Sequence, residues 1–293
     1  VGEGTGVRAR IAFVTSAAWA DLSPDDRLAA AELSRRGIEV QPAVWDDPEV
    51  DWSGFDRAIL RSCWDYHLRL PEFLAWLDRI EHSGVPLWNP PSLVRFNADK
   101  SYLGDLAAAG VPVVSTLRLE RGASADLSAI LDEQGWAEAV VKPAVSASAF
   151  RTRRLRREEA GAVQPELAEM LAGSAVLIQP FLPEIQTRGE WSFLFFAGEY
   201  SHAVLKRPGE GDFRVQQELG GSAVVESPDP RLLAQARAVV EHIPGPWLYV
   251  RVDGIELEAG FVLMELELIE PSLFLVADPE APGRFADAVL ALS

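Results

Sequence analysis

Between residues 10 and 120, short apolar runs alternate with stretches whose apolar residues recur at helical spacing. RIAFVTS reads as a buried strand. SPDDRLAAAELSRRG reads as a helix, with Ser23 as N-cap, Pro24 at its first position and Gly37 behind its end. IEVQPAVW and FDRAILRS are further strands. LPEFLAWLDRIEHSG is an amphipathic helix closed by Gly84. VPLWNP is a short strand, SLVRFNADKSYLGDLAAAG one helix or a pair, and VPVVSTLRL a strand. Such alternation predicts a parallel sheet with helices on both faces.

Beyond residue 120 the pattern changes. ADLSAILDEQG is a helix, AEAVVKPA a strand, SAFRTRRL its partner strand, QPELAEMLAGS a helix and AVLIQPF a strand. Together they predict a small α+β unit. From residue 190 hairpins dominate, first EWSFLFFAGEYSHAVLKRP, then LYVRVDGIELEAGFVLMELELIEP. Between them lie PGEGDFRVQQELGG, whose glycines and polar residues read as a mobile loop, and the helix DPRLLAQARAVVEHI. GRFADAVLALS is a terminal helix. The expected division is 1–114, an N-terminal α/β domain; 115–180, a central domain; and 181–293, a C-terminal antiparallel-sheet domain.

The last hairpin carries the first chemical signal. A register centred near Ala259 sets Asp253 opposite Glu265 and Arg251 opposite Glu267, all on one face. Met264, Leu266 and Leu268 then share the other face and meet a core, and Glu270 points away from the carboxylates. Like charges opposed on a sheet repel by about 0.2–1 kcal/mol per pair, so the three carboxylates call for a cation. A hard divalent ion is the natural one. A plain solvated face balanced by Arg251 is the alternative.

Composition narrows the partners. The chain has 293 residues, 48% of them hydrophobic, enough for a sizeable core. Its net charge of −17 argues against a nucleic-acid backbone or an anionic membrane as the main partner. No apolar run approaches the ~20 residues of a membrane span. The start, VGEGTGVRAR, is too short and too quickly polar for a secretory signal, and the single Cys63 forbids an internal disulfide, so a cytoplasmic protein is expected. Cys63 itself reads as a buried core residue. The run RTRRLRR at 151–157 is either a solvated edge or a cover over a polyphosphate. Of 27 basic residues only three are lysines, Lys100, Lys142 and Lys206. In an arginine-biased chain a lysine marks a position that needs a compact ammonium, as against a phosphate.

The ordered set ILRSCWDY, LWNP, VRFNADK, AVVKPA, LIQPFLPEI, GEWS, GDFRVQQELGG, RVDG and MELELIEPS resembles the ATP-grasp superfamily, in its prokaryotic glutathione-synthetase-like branch. Within that branch the chain is similar to the cyclo-ligases that close the D-cycloserine ring from O-ureido-D-serine. The resemblance runs over essentially the whole chain. It implies an N-terminal α/β domain, a small central domain and a C-terminal antiparallel sheet, with ATP held between the last two.

The resemblance also implies roles. Lys100 and Lys142 reach the ATP phosphates. Gln179, Pro180, Phe181 and Leu182 form the strand whose backbone pairs with adenine. Glu190, or else Glu184, bonds the ribose. Asp253, Glu265 and Glu267 hold two Mg²⁺ ions. Arg214, before Gly220 and Gly221, sits on a loop that closes on the γ-phosphate. Two departures stand out. Glu267 replaces the asparagine usual in glutathione synthetases, and AVSASAF replaces the usual Gly-rich loop. Backbone N–H groups with the Ser146 and Ser148 hydroxyls remain able to cradle phosphate there, unless the segment is a plain turn.

The implied chemistry is phosphorylation of a carboxylate and attack of an amine on the acylphosphate. Lys206, Arg214 and Arg251 are the candidate catalytic cations. Arg61 and Asp65 are expected to take the carboxylate and ammonium of a small amino-acid-like substrate, with Trp64 and Tyr66 beside them. By strand alternation His202 shares a face with Lys206 and is expected to reach the site. A non-catalytic ATP-binding protein and a kinase that stops at the phosphorylated product remain as alternatives. Monomer and homodimer are both left open.

Overall fold

The computed structural model describes residues 9–209, 212–215 and 220–292. Residues 1–8 and 293, and residues 210, 211 and 216–219 of the expected mobile loop, lie outside the described residues.

Strands β1 (Arg10–Thr15), β2 (Glu39–Val44), β3 (Arg57–Leu60) and β4 (Leu87–Trp88) form a parallel sheet in the order β2-β1-β3-β4. Helix α1 (Pro24–Arg35) begins where the sequence predicts: Ser23 Oγ accepts the Asp26 N–H at 3.2 Å. Helix α2 (Leu70–Ser83) ends at Gly84, whose φ of 78° favours glycine. It buries Phe73, Trp76, Leu77 and Ile80 beside Trp45 and Cys63. Burial pushes the Cys63 thiol well up, which suits a core residue and not a nucleophile.

The stretch after β4 is a pair of helices, α3 (Pro91–Ala98) and α4 (Tyr102–Ala108). At the break between them the Lys100 N–H donates to the Ala144 carbonyl at 3.0 Å. Strand β5 (Leu117–Leu119), helix α5 (Leu127–Gln134), β6 (Glu138–Pro143), β7 (Arg153–Arg156), helix α6 (Ala160–Gly173) and β8 (Val176–Pro180) follow. The four strands make an antiparallel sheet, β5-β8-β6-β7, over a core of Leu131, Leu155, Leu167 and Ile178. Two expected strands are shorter than their apolar runs. Within VPVVSTLRL, the Val113–Val114 part instead runs beside residue 263, with Leu263 N–H on the Pro112 carbonyl and Val114 N–H on the Leu263 carbonyl. Within SAFRTRRL, Ser148, Ala149 and Arg151 take positive φ of 48°, 55° and 51°, so the chain bends before β7 begins.

Helix α7 (Glu184–Thr187) precedes the hairpin of β9 (Glu190–Phe196) and β10 (Glu199–Arg207). Strand β11 (Ser222–Val225), helix α8 (Pro230–Val240), β12 (Tyr249–Leu257), β13 (Gly260–Glu267) and helix α9 (Ala281–Ala291) complete the chain. The five strands form an antiparallel sheet, β11-β10-β9-β12-β13. One face buries Phe193, Phe195, Val252 and Leu266 with Leu103, Leu106 and Val239 of α4 and α8. Helix α9 returns to α1: Phe285 shares a cluster with Leu33, Ile11, Phe196 and Tyr249.

The free edge of β13 is completed by side chains as well as by residues 112–114. Tyr102 OH donates to the Leu266 carbonyl at 2.9 Å and accepts the Leu266 N–H at 3.0 Å. Asn97 donates to the same carbonyl at 2.7 Å and accepts the Leu268 N–H at 2.8 Å. Asn89 donates to the carbonyls of Tyr249 and Leu268, both at 2.8 Å, and accepts the Leu248 N–H at 2.7 Å. An unpaired strand edge leaves polar groups that must find partners once buried. Here the partners come from the amides and phenol of the α3–α4 region.

Candidate active site

A cavity of about 720 Å³ opens between the second and third sheets, with Trp19, Trp64 and Tyr66 of the N-terminal region on its rim. Its floor is the β12–β13 hairpin. Asp253 pairs with Glu265 and Arg251 with Glu267, as the sequence register predicts, but for a reason it does not contain. Near the turn Leu257 pairs with Gly260 and Gly254 with Leu263, one residue out of step. A β-bulge at Met264 restores the register at the carboxylates. It also overturns one expectation: Met264 does not join Leu266 and Leu268 in the core. It packs with Ile185, Ile255 and Leu182 and lines the cavity. Gly254 is required beside the bulge, because a Cβ there would stand 2.4 Å from the Phe261 ring and from the Val262 carbonyl.

Cations and carboxylates interleave on this floor. Lys206 Nζ donates to Glu190 at 2.5 Å and to Asp253 at 3.1 Å. Arg251 donates to both Asp253 oxygens, at 3.0 and 3.1 Å, and to Glu267. Ser192 Oγ–H adds a bond to Asp253 at 2.6 Å. Lys100 Nζ donates to the Ser146 carbonyl at 2.5 Å, to Ser146 Oγ at 3.2 Å, and pairs with Glu265 at 3.2 Å. Burial opposes ionisation of Asp253, but Arg251 and Lys206 outweigh it and hold the carboxyl down at about 2. For Glu267 burial prevails over Arg251 and pushes it up to about 7. Lys142 ends in the cavity with no hydrogen bond or ion pair among the described residues, and burial lowers its pKa.

The three carboxylates share a face without forming a closed cage: among the described residues no three acidic, histidine or cysteine side chains enclose a metal site. Lys206 and Arg251 draw Asp253 and Glu267, and Lys100 draws Glu265, so the carboxylates do not converge on one point as expected. The donor set is nonetheless all carboxylate oxygen, which fits Mg²⁺, an ion that takes one or two protein carboxylates and completes its shell from water and phosphate.

Other expected residues fall into place around this floor. Gln179, Pro180, Phe181 and Leu182 line the apolar end with Ile185 and Val215. The Phe181 N–H is already donated to the Glu138 carbonyl at 3.0 Å, so it is not free for a base. Glu190 lines the cavity and Glu184 does not. Ser146 and Ser148 line it beside Lys100, and Ser148 and Ala149 take the positive φ that a glycine adopts most readily. Arg214 lines it too, held by Asp212 at 2.8 Å. In the basic run 151–157, Arg151, Arg154 and Arg157 pair with Glu169, Glu138 and Asp132, and none of the arginines lines the cavity.

Three expected substrate contacts are corrected. Arg61 is buried away from the cavity, paired with Asp26 at 2.7 Å and donating to the Pro271 carbonyl at 3.0 Å. The guanidinium is held by that acid and by the faces of the Tyr249 and Phe285 rings, and it does not reach the cavity. Asp65 turns to Trp45 Nε1 at 3.0 Å and Arg69 at 2.9 Å. His202 lies on the predicted face, but Nε2 meets the Leu273 carbonyl at 3.0 Å and the side chain is buried there without lining the cavity. Trp64 and Tyr66 do line the cavity. Glu270, expected to point away, lines it as well, because the strand ends at Glu267 and alternation no longer applies. Sequence reasoning missed Trp19, Asn89, Asn97 and Tyr102. Asn97 stands inside the NADK motif, and its fixed spacing from Lys100 was the available signal.

Residues 11–89 match the family D-cycloserine synthetase DcsG, N-terminal domain. The cycloserine biosynthesis protein DcsG of Streptomyces lavendulae is 36% identical over 266 residues, 86% of this chain and 88% of that protein. Glutathione synthetase of Parasynechococcus marenigrum is 28% identical over 256 residues, 86% of this chain and 74% of that protein. Among solved structures, D-cycloserine synthetase DcsG superposes with a TM-score of 0.87 at 32% identity, covering 97% of this chain and 99% of that one. The ATP-grasp ligase PsnB, solved with a minimal precursor, Mg and ADP, has the same fold, with a TM-score of 0.64 at 18% identity over 96% of this chain and 97% of that one. The fold, the ordered motifs and the extent of these likenesses agree, and the chain belongs to the ATP-grasp ligases, in the family of the D-cycloserine synthetases.

Proposed function

We propose that this chain closes an amide bond on a small α-amino acid through an acylphosphate, with O-ureido-D-serine as the favoured substrate and ring closure as the favoured outcome. One observation carries the reading. A single cavity sets Lys100, Lys142, Lys206 and Arg251 against Asp253, Glu265 and Glu267. Phosphoryl transfer needs positioning and charge neutralisation more than covalent help, and these residues supply both.

The apolar end, with Phe181, Leu182, Ile185 and Met264, suits an adenine ring; Glu190 is the ribose partner. Lys100 and Lys142 take phosphate oxygens. Lys142 is poised for this, because a buried ammonium without a partner gains most when an anion arrives. Asp253, Glu265 and Glu267 would hold Mg²⁺, two ions in our reading, which when bound neutralises phosphate charge. A substrate carboxylate oxygen attacks the γ-phosphorus, an O–P bond forms, and ADP leaves. The attacking nitrogen then bonds the acyl carbon, loses a proton and expels inorganic phosphate. Arg251, which lines the cavity, is the proposed partner of the acyl oxygen. Water has to be kept out meanwhile, and the loop bearing Arg214 is the proposed cover.

The three sheets are taken as the three domains divided near residues 114 and 180. The cavity is lined from one chain, so a homodimer is not needed to complete it. No described helix is long and apolar enough to cross a membrane, and the cytoplasm is the proposed compartment. Incubation with ATP, Mg²⁺ and O-ureido-D-serine should release ADP and phosphate in equal amounts with a cyclic product. AMP and pyrophosphate would overturn the reading. ADP release without cyclic product, with an acylphosphate trapped by hydroxylamine, would point to the kinase.

A further inference from the structure

Glu270 is 8% exposed and lines the cavity, and its carboxyl receives no hydrogen bond or ion pair among the described residues. Burial of that kind is expensive unless a partner arrives. The segment that carries it is held with unusual completeness. The carbonyls of residues 268 to 272 each accept from a side chain: Leu268 from Asn89 at 2.8 Å, Ile269 from Tyr249 at 2.8 Å, and Glu270 from Trp64 at 2.8 Å. Pro271 accepts from Arg61 and Ser272 from Arg251, at 3.0 and 3.1 Å. Leu268 and Ile269 are anchored in two separate cores. A carboxylate so fixed and so bare is pre-organised for a ligand.

We propose that Glu270 is the binding site for the α-ammonium of the amino-acid substrate, with the Trp19, Trp64 and Tyr66 rings as its wall. The proposal rests on the ligase reading above and names the substrate class within it. It moves the ammonium contact from Asp65, which is committed to Trp45 and Arg69, to a carboxyl three residues beyond Glu267. The surroundings favour an ammonium over a metal ion. Aromatic rings attract an organic cation, whereas Mg²⁺ requires hard oxygens, and Trp64 and Trp19 stand edge to face at 5.0 Å on this side of the cavity. Burial, with Glu267 nearby, raises the Glu270 pKa well above the carboxylate range, so an arriving ammonium would draw it into the ionised form. The five donors then acquire a common purpose: Arg61 and Trp64 act on the substrate by positioning Glu270.

The test is Glu270→Gln, nearly isosteric, in the full chain. Wild-type turnover of an amino-acid substrate is established first; its failure would count against the ligase reading and not against Glu270. The variant should raise KM for the amino acid about 10- to 100-fold, the loss of one charged hydrogen bond. KM for ATP and the Mg²⁺ concentration for half-activity should stay unchanged. The des-amino analogue of the substrate should react equally poorly with both proteins. Tryptophan fluorescence, titrated with amino acid and no ATP, reads the same binding without turnover, and Glu270→Asp should restore part of it. An unchanged amino-acid affinity would overturn the proposal. So would a shift confined to the Mg²⁺ dependence, which would make Glu270 a metal ligand.

Discussion

Replacing Tyr102 by phenylalanine isolates the support of the carboxylate strand from the cavity itself. Tyr102 is 1% exposed and does not line the cavity, and Phe keeps its ring contacts in the core. What disappears is one oxygen that both donates to the Leu266 carbonyl and accepts the Leu266 N–H, at 2.9 and 3.0 Å. The carbonyl retains Asn97 at 2.7 Å; among the described residues the N–H retains no partner on that edge. One wholly unpaired buried donor costs about 1–3 kcal/mol, and the weakened carbonyl adds about 1 kcal/mol more. The sum is about 2–4 kcal/mol, a large part of the ~5–15 kcal/mol that holds a typical domain. Leu266 lies between Glu265 and Glu267, so a strand freed there loosens both carboxylates. Urea unfolding should show the loss as a lower midpoint with an unchanged slope, and ADP release should need several-fold more Mg²⁺. A midpoint equal to wild type, with an unchanged Mg²⁺ requirement, would refute the argument that this phenol completes the edge of β13.

Four further outcomes are expected. Glu265→Gln should abolish phosphate release while leaving the unfolding free energy within about 1 kcal/mol of wild type; full activity would remove Glu265 from the metal set. Lys142→Met should leave stability unchanged or raise it, since a buried, unpartnered ammonium is lost, while KM for ATP rises at least about tenfold; an unchanged KM would exclude a phosphate contact. Arg61→Met should destabilise by about 3–5 kcal/mol by stranding Asp26, and Asp26→Asn added to it should recover part; the absence of any recovery in urea unfolding would argue against the pair. Burial lowers the His202 pKa from 6.5 to about 4, with Asp278 and Arg284 acting against each other nearby. The folded state therefore binds fewer protons than the unfolded one in that window. The contribution is complete above pH 6.5 and is lost as pH falls to about 4, by roughly 3 kcal/mol. His202→Gln should flatten that part of the stability–pH curve, and a curve of unchanged slope would contradict the assignment.

Much of the fold follows from local rules. Strand and helix periods in residues 10–120 foretell the parallel sheet, and Ser23, Pro24 and Gly84 bound their helices because capping and left-handed backbone depend on near neighbours only. The boundaries failed where a neighbour distant in sequence intervened. Residues 113–114 look like a continuous strand with 117–119, yet they serve the edge of β13. The site was partly legible for the same reason. A hairpin pairs residues by counting from its turn, so the sequence alone pairs Asp253 with Glu265. The bulge at Met264 was invisible, and the prediction reached the right pairs only because a turn one residue out of step and a one-residue bulge compensate.

Arg61, Asp65, His202 and Glu270 mark the limit of such reasoning. Motif position or alternation assigns a direction to each, and what packs against each one decides it. Arg61 and Asp65 were taken up by Asp26, Trp45 and Arg69, and His202 was covered by residue 273. Glu270 was turned into the cavity where the strand ends. By itself, then, the sequence determined the order of elements, the three lysines and the acidic face of one hairpin, because these depend on spacing along the chain. Only the tertiary structure decided which charges are satisfied internally and which are left for a ligand. That depends on burial and on partners tens to hundreds of residues away, and no local pattern records it.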